Sequence, residues 1–162
     1  MSVKEELANK RIVLIGAGTT GKSIANYLIK EGLTFDIFDE KTDSLNGLPV
    51  LNTLKNDYDI ALISPGWQKD HGVISKLASV GCELMSELDL AWRLKEEIAP
   101  AQKWVAITGT NGKTTTVQMV ESILSKSSSR AIACGNVGTT VIEAVTSPEN
   151  FEVLAIELSS FQ

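Results

Sequence analysis

An α/β fold built on parallel sheets is what this sequence predicts, and three observations carry the expectation. Apolar runs of strand length alternate with stretches of helical period from one end to the other. Two of the strands run directly into a glycine-rich turn that opens a helix, and the last apolar run closes on an acidic residue, Glu157.

Strands are expected near Arg11 to Ile15, Phe35 to Phe38, Ile60 to Ile63, Cys82 to Leu84, Trp104 to Thr108, Arg130 to Cys134 and Val153 to Glu157. The clearest helices between them are Gly21 to Glu31, with Ile24, Tyr27 and Leu28 on one face, and Ser86 to Glu97, with Leu88, Ala91, Trp92 and Leu94 at helical spacing. Ser86 followed by Asp89 has the form of a capping box. The polar, Pro100-containing stretch between Leu94 and Lys103 reads as a boundary, dividing the chain into residues 1–98 and 99–162. The second segment has too few strands for a doubly wound domain, which needs about five or six. It is therefore expected to be incomplete, and if its covering elements are absent the strand Val153 to Ile156 is expected to expose an unpaired edge or apolar surface that favours self-association.

Composition narrows the function. A net charge of −5, 43% hydrophobic residues and a mean hydropathy of +0.06 describe an ordinary globular chain without the basic stripe of a nucleic-acid surface. No apolar run reaches membrane-spanning length and the N-terminus lacks a secretory signal, so a cytosolic location is expected. Cys82 and Cys134 are isolated from each other and from the single histidine, His71. Neither a disulfide framework nor a Cys/His zinc site has its residues, and both cysteines read as small apolar fillers.

Residues 105–116, V-A-I-T-G-T-N-G-K-T-T-T, place a glycine-framed lysine between a strand and a helix. Gly109 and Gly112 permit a tight turn that aims backbone N–H groups inward, the following helix adds its positive end, and Lys113 supplies a mobile charge. Thr114 offers a hydroxyl where a nucleotide-bound magnesium sits. The loop is shorter than the usual P-loop, because Ile107 stands where that motif has glycine; the bland alternative is a Gly-Asn turn with an incidental lysine.

Gly16-Ala17-Gly18-Thr19-Thr20-Gly21 follows the first strand and has the spacing of a dinucleotide fingerprint, with Asp39 at the tip of the second strand. Asp39 could accept from a ribose hydroxyl or from a base N–H. The motif specifies a diphosphate-containing nucleotide and does not by itself say NAD. Ser64-Pro65-Gly66 ends the third strand and Gly135-Asn136-Val137-Gly138 the sixth, each readable as a simple turn or as a ligand loop. Glu157 at the end of a buried strand needs a metal or cation, or else exposure to solvent. His71 has no catalytic partner at recognisable spacing and reads as a helix-start residue; Trp67, Trp92 and Trp104 read as packing residues, although Trp67 adjoins the Ser-Pro-Gly turn.

Taken in order, G-A-G-T-T-G, S-P-G at 64–66, T-G-T-N-G-K-T-T at 108–115, G-N-V-G at 135–138 and E-L-S-S-F-Q at 157–162 resemble the Mur ligase family over the whole chain, with the last word pointing to its D-glutamate-adding member. The resemblance implies a Rossmann-like domain followed by the first part of a P-loop-type central domain. The implied enzyme is monomeric and uses ATP and Mg²⁺ to join D-glutamate to UDP-N-acetylmuramoyl-L-alanine through an acyl phosphate. In it, Gly18, Thr19, Thr20 and Gly21 would hold the diphosphate, Asp39 and Lys41 the uracil and ribose, and Ser64, Pro65 and Gly66 the sugar-phosphate path. Asn136 would meet the muramoyl part. Gly109, Thr110, Asn111, Gly112, Lys113, Thr114 and Thr115 would bind ATP, Lys113 and Glu157 would be catalytic, and Thr114 and Glu157 would hold the metal. Lys41 departs from the arginine frequent in the family. With everything after Gln162 absent, the chain alone is expected not to catalyse ligation. Two other readings stand beside this one: a noncatalytic UDP-sugar-binding fragment, and an NAD-dependent oxidoreductase, which leaves the Gly-Lys-Thr loop and Glu157 unexplained.

Overall fold

The computed structural model describes residues 1–68 and 70–159. They divide into two compact units, one spanning Met1–Asp89 and one beginning at Leu90.

The first unit opens with helix α1 (Val3–Ala8), started by a full capping box in which Ser2 accepts from the Glu5 N–H and the Glu5 carboxylate accepts from the Ser2 N–H. Strand β1 (Ile12–Ile15) follows, then α2 (Thr19–Lys30), β2 (Phe35–Phe38), the short antiparallel pair β3 (Ser44–Leu45) and β4 (Leu48–Pro49), β5 (Ile60–Ile63), α3 (Gly72–Ser79) and β6 (Glu83–Ser86). The sheet is parallel in the order β2-β1-β5-β6. Its centre, β1, is buried along its whole length, and Ile24, Ala25 and Leu28 of α2 are fully buried. Each buried valine, leucine or isoleucine side chain contributes about 1.5–3 kcal/mol. The register pairs Ile15 with both Phe38 and Ile63, so the loops after β1, β2 and β5 emerge level with one another at the carboxyl edge.

The opposite edge is tied by charge. Arg11 donates to Asp57 at 2.9 Å and to Asp59 at 3.1 Å, while Asp36 accepts from Lys55 at 2.8 Å and from the Tyr58 hydroxyl at 2.7 Å. A cavity of about 210 Å³ opens there beside Arg11, Asp36, Lys55 and Tyr58, but these charges already pair with one another. It carries no chemistry of its own.

Helix α4 (Glu87–Ile98) runs across the division between the units, and the capping contact expected at its start is present: the Ser86 hydroxyl donates to Asp89 at 2.7 Å and accepts from its N–H at 3.2 Å. The second unit continues with β7 (Lys103–Ile107), α5 (Lys113–Lys126), β8 (Ala131–Gly135), α6 (Val141–Val145) and β9 (Val153–Glu157). Its parallel sheet has the order β7-β9-β8. This corrects the expectation that Val153 to Ile156 exposes an edge: β9 is the central strand, paired on both sides, and Leu154, Ala155 and Ile156 are at most 1% exposed. Exposed apolar side chains of this unit lie instead on α4, β7 and α5, among them Ile98 at 54%, Val105 at 38%, Met119 at 60% and Ile123 at 66%. Trp92 and Trp104 pack edge to face at 5.1 Å, with Lys95 over the Trp92 ring, so both serve as packing residues although Trp92 is half exposed. Cys82 and Cys134 are buried and are not joined in a disulfide. Among the described residues, no helix is long and apolar enough to cross a membrane.

Candidate functional sites

In the first unit the site is a set of loops at the carboxyl edge. Gly16 leaves β1 with φ +100°, a conformation that only glycine takes without strain, and its N–H donates to the Phe38 carbonyl at 2.8 Å. Gly18 caps α2, so Thr19 and Thr20 form the first helical turn, whose N–H groups have no intrahelical acceptor. The helix therefore starts two residues before the predicted Gly21, and the positions expected to meet a diphosphate lie at its positive end. Gly21 is needed for close approach, because a β-carbon there would lie 1.9 Å from the Gly16 carbonyl oxygen. Buried Ser64 donates its hydroxyl to that same carbonyl at 3.3 Å, and its N–H bonds the Ile15 carbonyl at 2.9 Å. Pro65 and the exposed Gly66 follow directly on this anchored serine.

Asp39 has a second task beyond the one sequence assigns. Its two carboxylate oxygens accept the Ala17 and Lys41 N–H groups, each at 2.8 Å, pinning the glycine loop to the tip of β2. Only its remaining lone pairs are left for a ligand. Lys41 itself has an exposed side chain. His71 is the N-cap of α3, its Nδ1 accepting the Val73 N–H at 3.3 Å, which matches the expected helix-start role.

In the second unit the loop after β7 enters α5 through Gly112, an N-cap at φ +76°, with Gly109 at φ +147°. The Lys113 ammonium donates to the Gly109 carbonyl at 2.7 Å, closing the loop on itself. Thr110, Asn111 and Thr115 are exposed around it. The Thr114 hydroxyl donates to Glu157 Oε2 at 2.7 Å. Glu157 is 7% exposed, so its carboxylate is neither solvated at the strand end nor without a partner. Its backbone is also fixed: its carbonyl accepts the Asn136 N–H at 3.1 Å, and the adjoining Leu158 N–H bonds the Ile107 carbonyl at 2.9 Å. Sequence reasoning placed Gly135 in a turn or ligand loop but missed its packing role: a β-carbon there would fall 2.4 Å from the Glu157 carbonyl oxygen, and a glycine directly ending a strand was the available signal. Thus Lys113, Thr114, Glu157 and Asn136 converge at one edge, as do Thr19, Thr20, Asp39 and Ser64 in the first unit.

The oxygen pair of Thr114 and Glu157 suits a hard cation. No group of three or more His, Cys, Asp or Glu residues among those described could hold a metal by itself. That donor set fits Mg²⁺, which takes one or two protein oxygens and completes its shell from water and phosphate. Phe161 and Gln162, part of the E-L-S-S-F-Q word, lie outside the described residues, as does Ser160.

A family model described as the Mur ligase middle domain matches residues 107–162. The UDP-N-acetylmuramoylalanine–D-glutamate ligase of Thermobifida fusca is 39% identical over 97% of this chain and 37% of its own length; that of Corynebacterium efficiens is 36% identical over 94% and 35%. The chain thus spans little more than a third of these relatives. In structure it matches the UDP-N-acetylmuramate:L-alanyl-gamma-D-glutamyl-meso-diaminopimelate ligase of Neisseria meningitides with a TM-score of 0.52 at 18% identity, over 94% of this chain and 55% of that one, which speaks to fold. Since the middle-domain match begins at the end of β7 and takes in both the lysine loop and Glu157, while the relatives align across both units, this chain belongs to the Mur ligase family.

Proposed function

We propose that residues 1–98 bind the UDP end of UDP-N-acetylmuramoyl-L-alanine, and that residues 99–162 supply the phosphate loop of an ATP-dependent ligase that joins D-glutamate to it in peptidoglycan precursor synthesis. The observation that carries the reading is the buried Glu157 carboxylate held by Thr114 beside the Gly109–Lys113 loop. A strand-end acid paired with a helix-start hydroxyl is the arrangement a phosphate-bound cation requires.

In this reading the N–H groups opening α2 take the diphosphate, Asp39 and Lys41 face the uridine, Ser64 to Gly66 line the path of the sugar, and Asn136 meets the muramoyl group. Lys113 leaves the Gly109 carbonyl for the ATP phosphates, exchanging a neutral acceptor for an anionic one. Mg²⁺, when bound with the nucleotide, would neutralise charge on the phosphates, held by Thr114 Oγ1 and Glu157. The L-alanine carboxylate takes the γ-phosphoryl group of ATP, and the D-glutamate amine then forms the amide and releases phosphate. No protein nucleophile is needed; positioning and fixed charge do the work. The remaining length of the relatives lies outside this chain, so the claim for the chain itself is binding.

Calorimetric titration tests it with three ligands: UDP-N-acetylmuramoyl-L-alanine, NADH and Mg-ATP. Saturable binding of the UDP-sugar without NADH is expected. NADH binding with no UDP-sugar binding would overturn the assignment of the first unit.

A further inference from the structure

Trp67 stands with its indole nitrogen against the glycine loop, because a β-carbon built on Gly16 would lie 2.8 Å from that nitrogen. Its ring is braced from two directions, by Phe38 at 5.8 Å between centroids and by His71 edge to face at 4.7 Å. Its backbone N–H bonds the Ser64 carbonyl at 3.1 Å. His71 is held in turn, by its bond from the Val73 N–H and by the Glu40 carboxylate 3.7 Å from its Nε2. The orientation of the indole is therefore set before any ligand arrives.

Yet the indole N–H has no acceptor among the described residues. It is not sealed away either, since no buried side-chain nitrogen or oxygen among those residues lacks a partner. A fixed ring thus presents an open donor at the head of the loop whose helix start suits an anion. Indole is a donor only, so an acceptor is the one hydrogen-bonding ligand group that suits it.

We propose that the Trp67 indole N–H is a further donor to the phosphate group held at this loop, acting beside the backbone N–H groups of Thr19 and Thr20. The inference rests on the nucleotide reading of the first unit and adds a side chain to it. Gly16 acquires a second role, since any β-carbon there would occupy the space between the loop and the indole. The charge-assisted bond strengthens binding of a diphosphate without adding a cation that would hold it after turnover.

Trp67→Phe separates donor from packing, because phenylalanine keeps an aromatic ring against Phe38 and His71 but has no N–H. Affinities for UDP and for uridine are measured on both chains. A loss of about tenfold for UDP with unchanged uridine binding is expected. A second readout needs no change at residue 67: the Trp67 indole N–H resonance in a ¹⁵N-labelled chain, identified by elimination against Trp92→Phe and Trp104→Phe, moves downfield with UDP and stays in place with uridine. Unchanged UDP affinity in the variant, or a resonance that UDP does not move, overturns the proposal while leaving the nucleotide site intact. Failure of the unsubstituted chain to bind UDP at all removes both.

Discussion

Replacing Gly21 with alanine adds one methyl group where the backbone of another segment already lies. The new β-carbon would sit 1.9 Å from the Gly16 carbonyl oxygen and 2.9 Å from its carbon, and the contact must open to at least 3.0 Å before it resembles any real one. The neighbour is main chain, and it is held in place by the Gly16 N–H bond to Phe38 and by the Ser64 hydroxyl. Yielding therefore means shifting the whole loop against β2 and β5. Overpacking of this kind costs about 1–3 kcal/mol, and more where backbone must move. Alanine returns up to about 1 kcal/mol of helix propensity, so a net loss of about 2 kcal/mol is expected. With a urea m-value of about 1–3 kcal/mol/M, the unfolding midpoint should fall by roughly 1 M. Trp67 is the one tryptophan between Met1 and Asp89. Its fluorescence in a Trp92→Phe/Trp104→Phe background therefore reports unfolding of this unit alone. Gly18→Ala is the matched control, since a β-carbon there meets nothing within 4 Å and φ is −77°; it should stay within about 1 kcal/mol of the parent. A Gly21→Ala chain as stable as the parent would refute the packing argument, and with it the claim that this glycine holds the loop in register with the helix.

Two further outcomes follow from the charged groups. Glu157→Gln keeps a partner for Thr114 but removes the anion, so Mg-ATP affinity should fall at least about tenfold by calorimetry while UDP-sugar binding is retained; equal Mg-ATP affinity would remove Glu157 from the metal site. At the amino edge of the first sheet, the Arg11 guanidinium and backbone N–H hold the Asp59 carboxyl down at about 2, from an ordinary value of 3.8. Because the folded value lies below the unfolded one, the stability gained is present above pH 3.8 and is lost as pH falls towards 2. Asp59→Asn should thus be less stable than the parent at pH 6, with the two denaturation curves converging near pH 2; parallel curves across that window would show that the pair contributes nothing.

The parts of the fold that could be read from sequence are those with a local cause. Phe35–Phe38, Ile60–Ile63 and Val153–Glu157 fall at their expected bounds because each is an apolar run stopped by turn or charged residues. The two glycine loops were legible because a tight turn into a helix demands glycine at fixed offsets. Some local signals passed unread: Ser2 and Glu5 spell a capping box, and Asn46-Gly47, with Asn46 at φ +53° and Gly47 at φ +78°, spells a hairpin turn whose strands are two residues long. Strand order was out of reach for a different reason. Parallel neighbours are joined through crossovers, so nothing local marks β9 as central in its sheet, or Asp39 as the brace of a loop far from it in sequence.

The central position of β9 bears on how the second unit comes to exist. Among the described residues neither β7 nor β8 pairs with the other; both pair with β9, which follows them in the chain, through registers such as Lys103 with Val153. During synthesis the lysine loop and its helix emerge from the ribosome well before there is a sheet to mount them on. Such long-range closure is slow, and it leaves apolar β7 and β8 waiting for a partner in the meantime. Glu157 is the final residue of that joining strand, so the residue proposed to complete the cation site arrives with the strand that ties β7 to β8. A nascent chain halted before Val153 would have the phosphate loop in sequence and not in space.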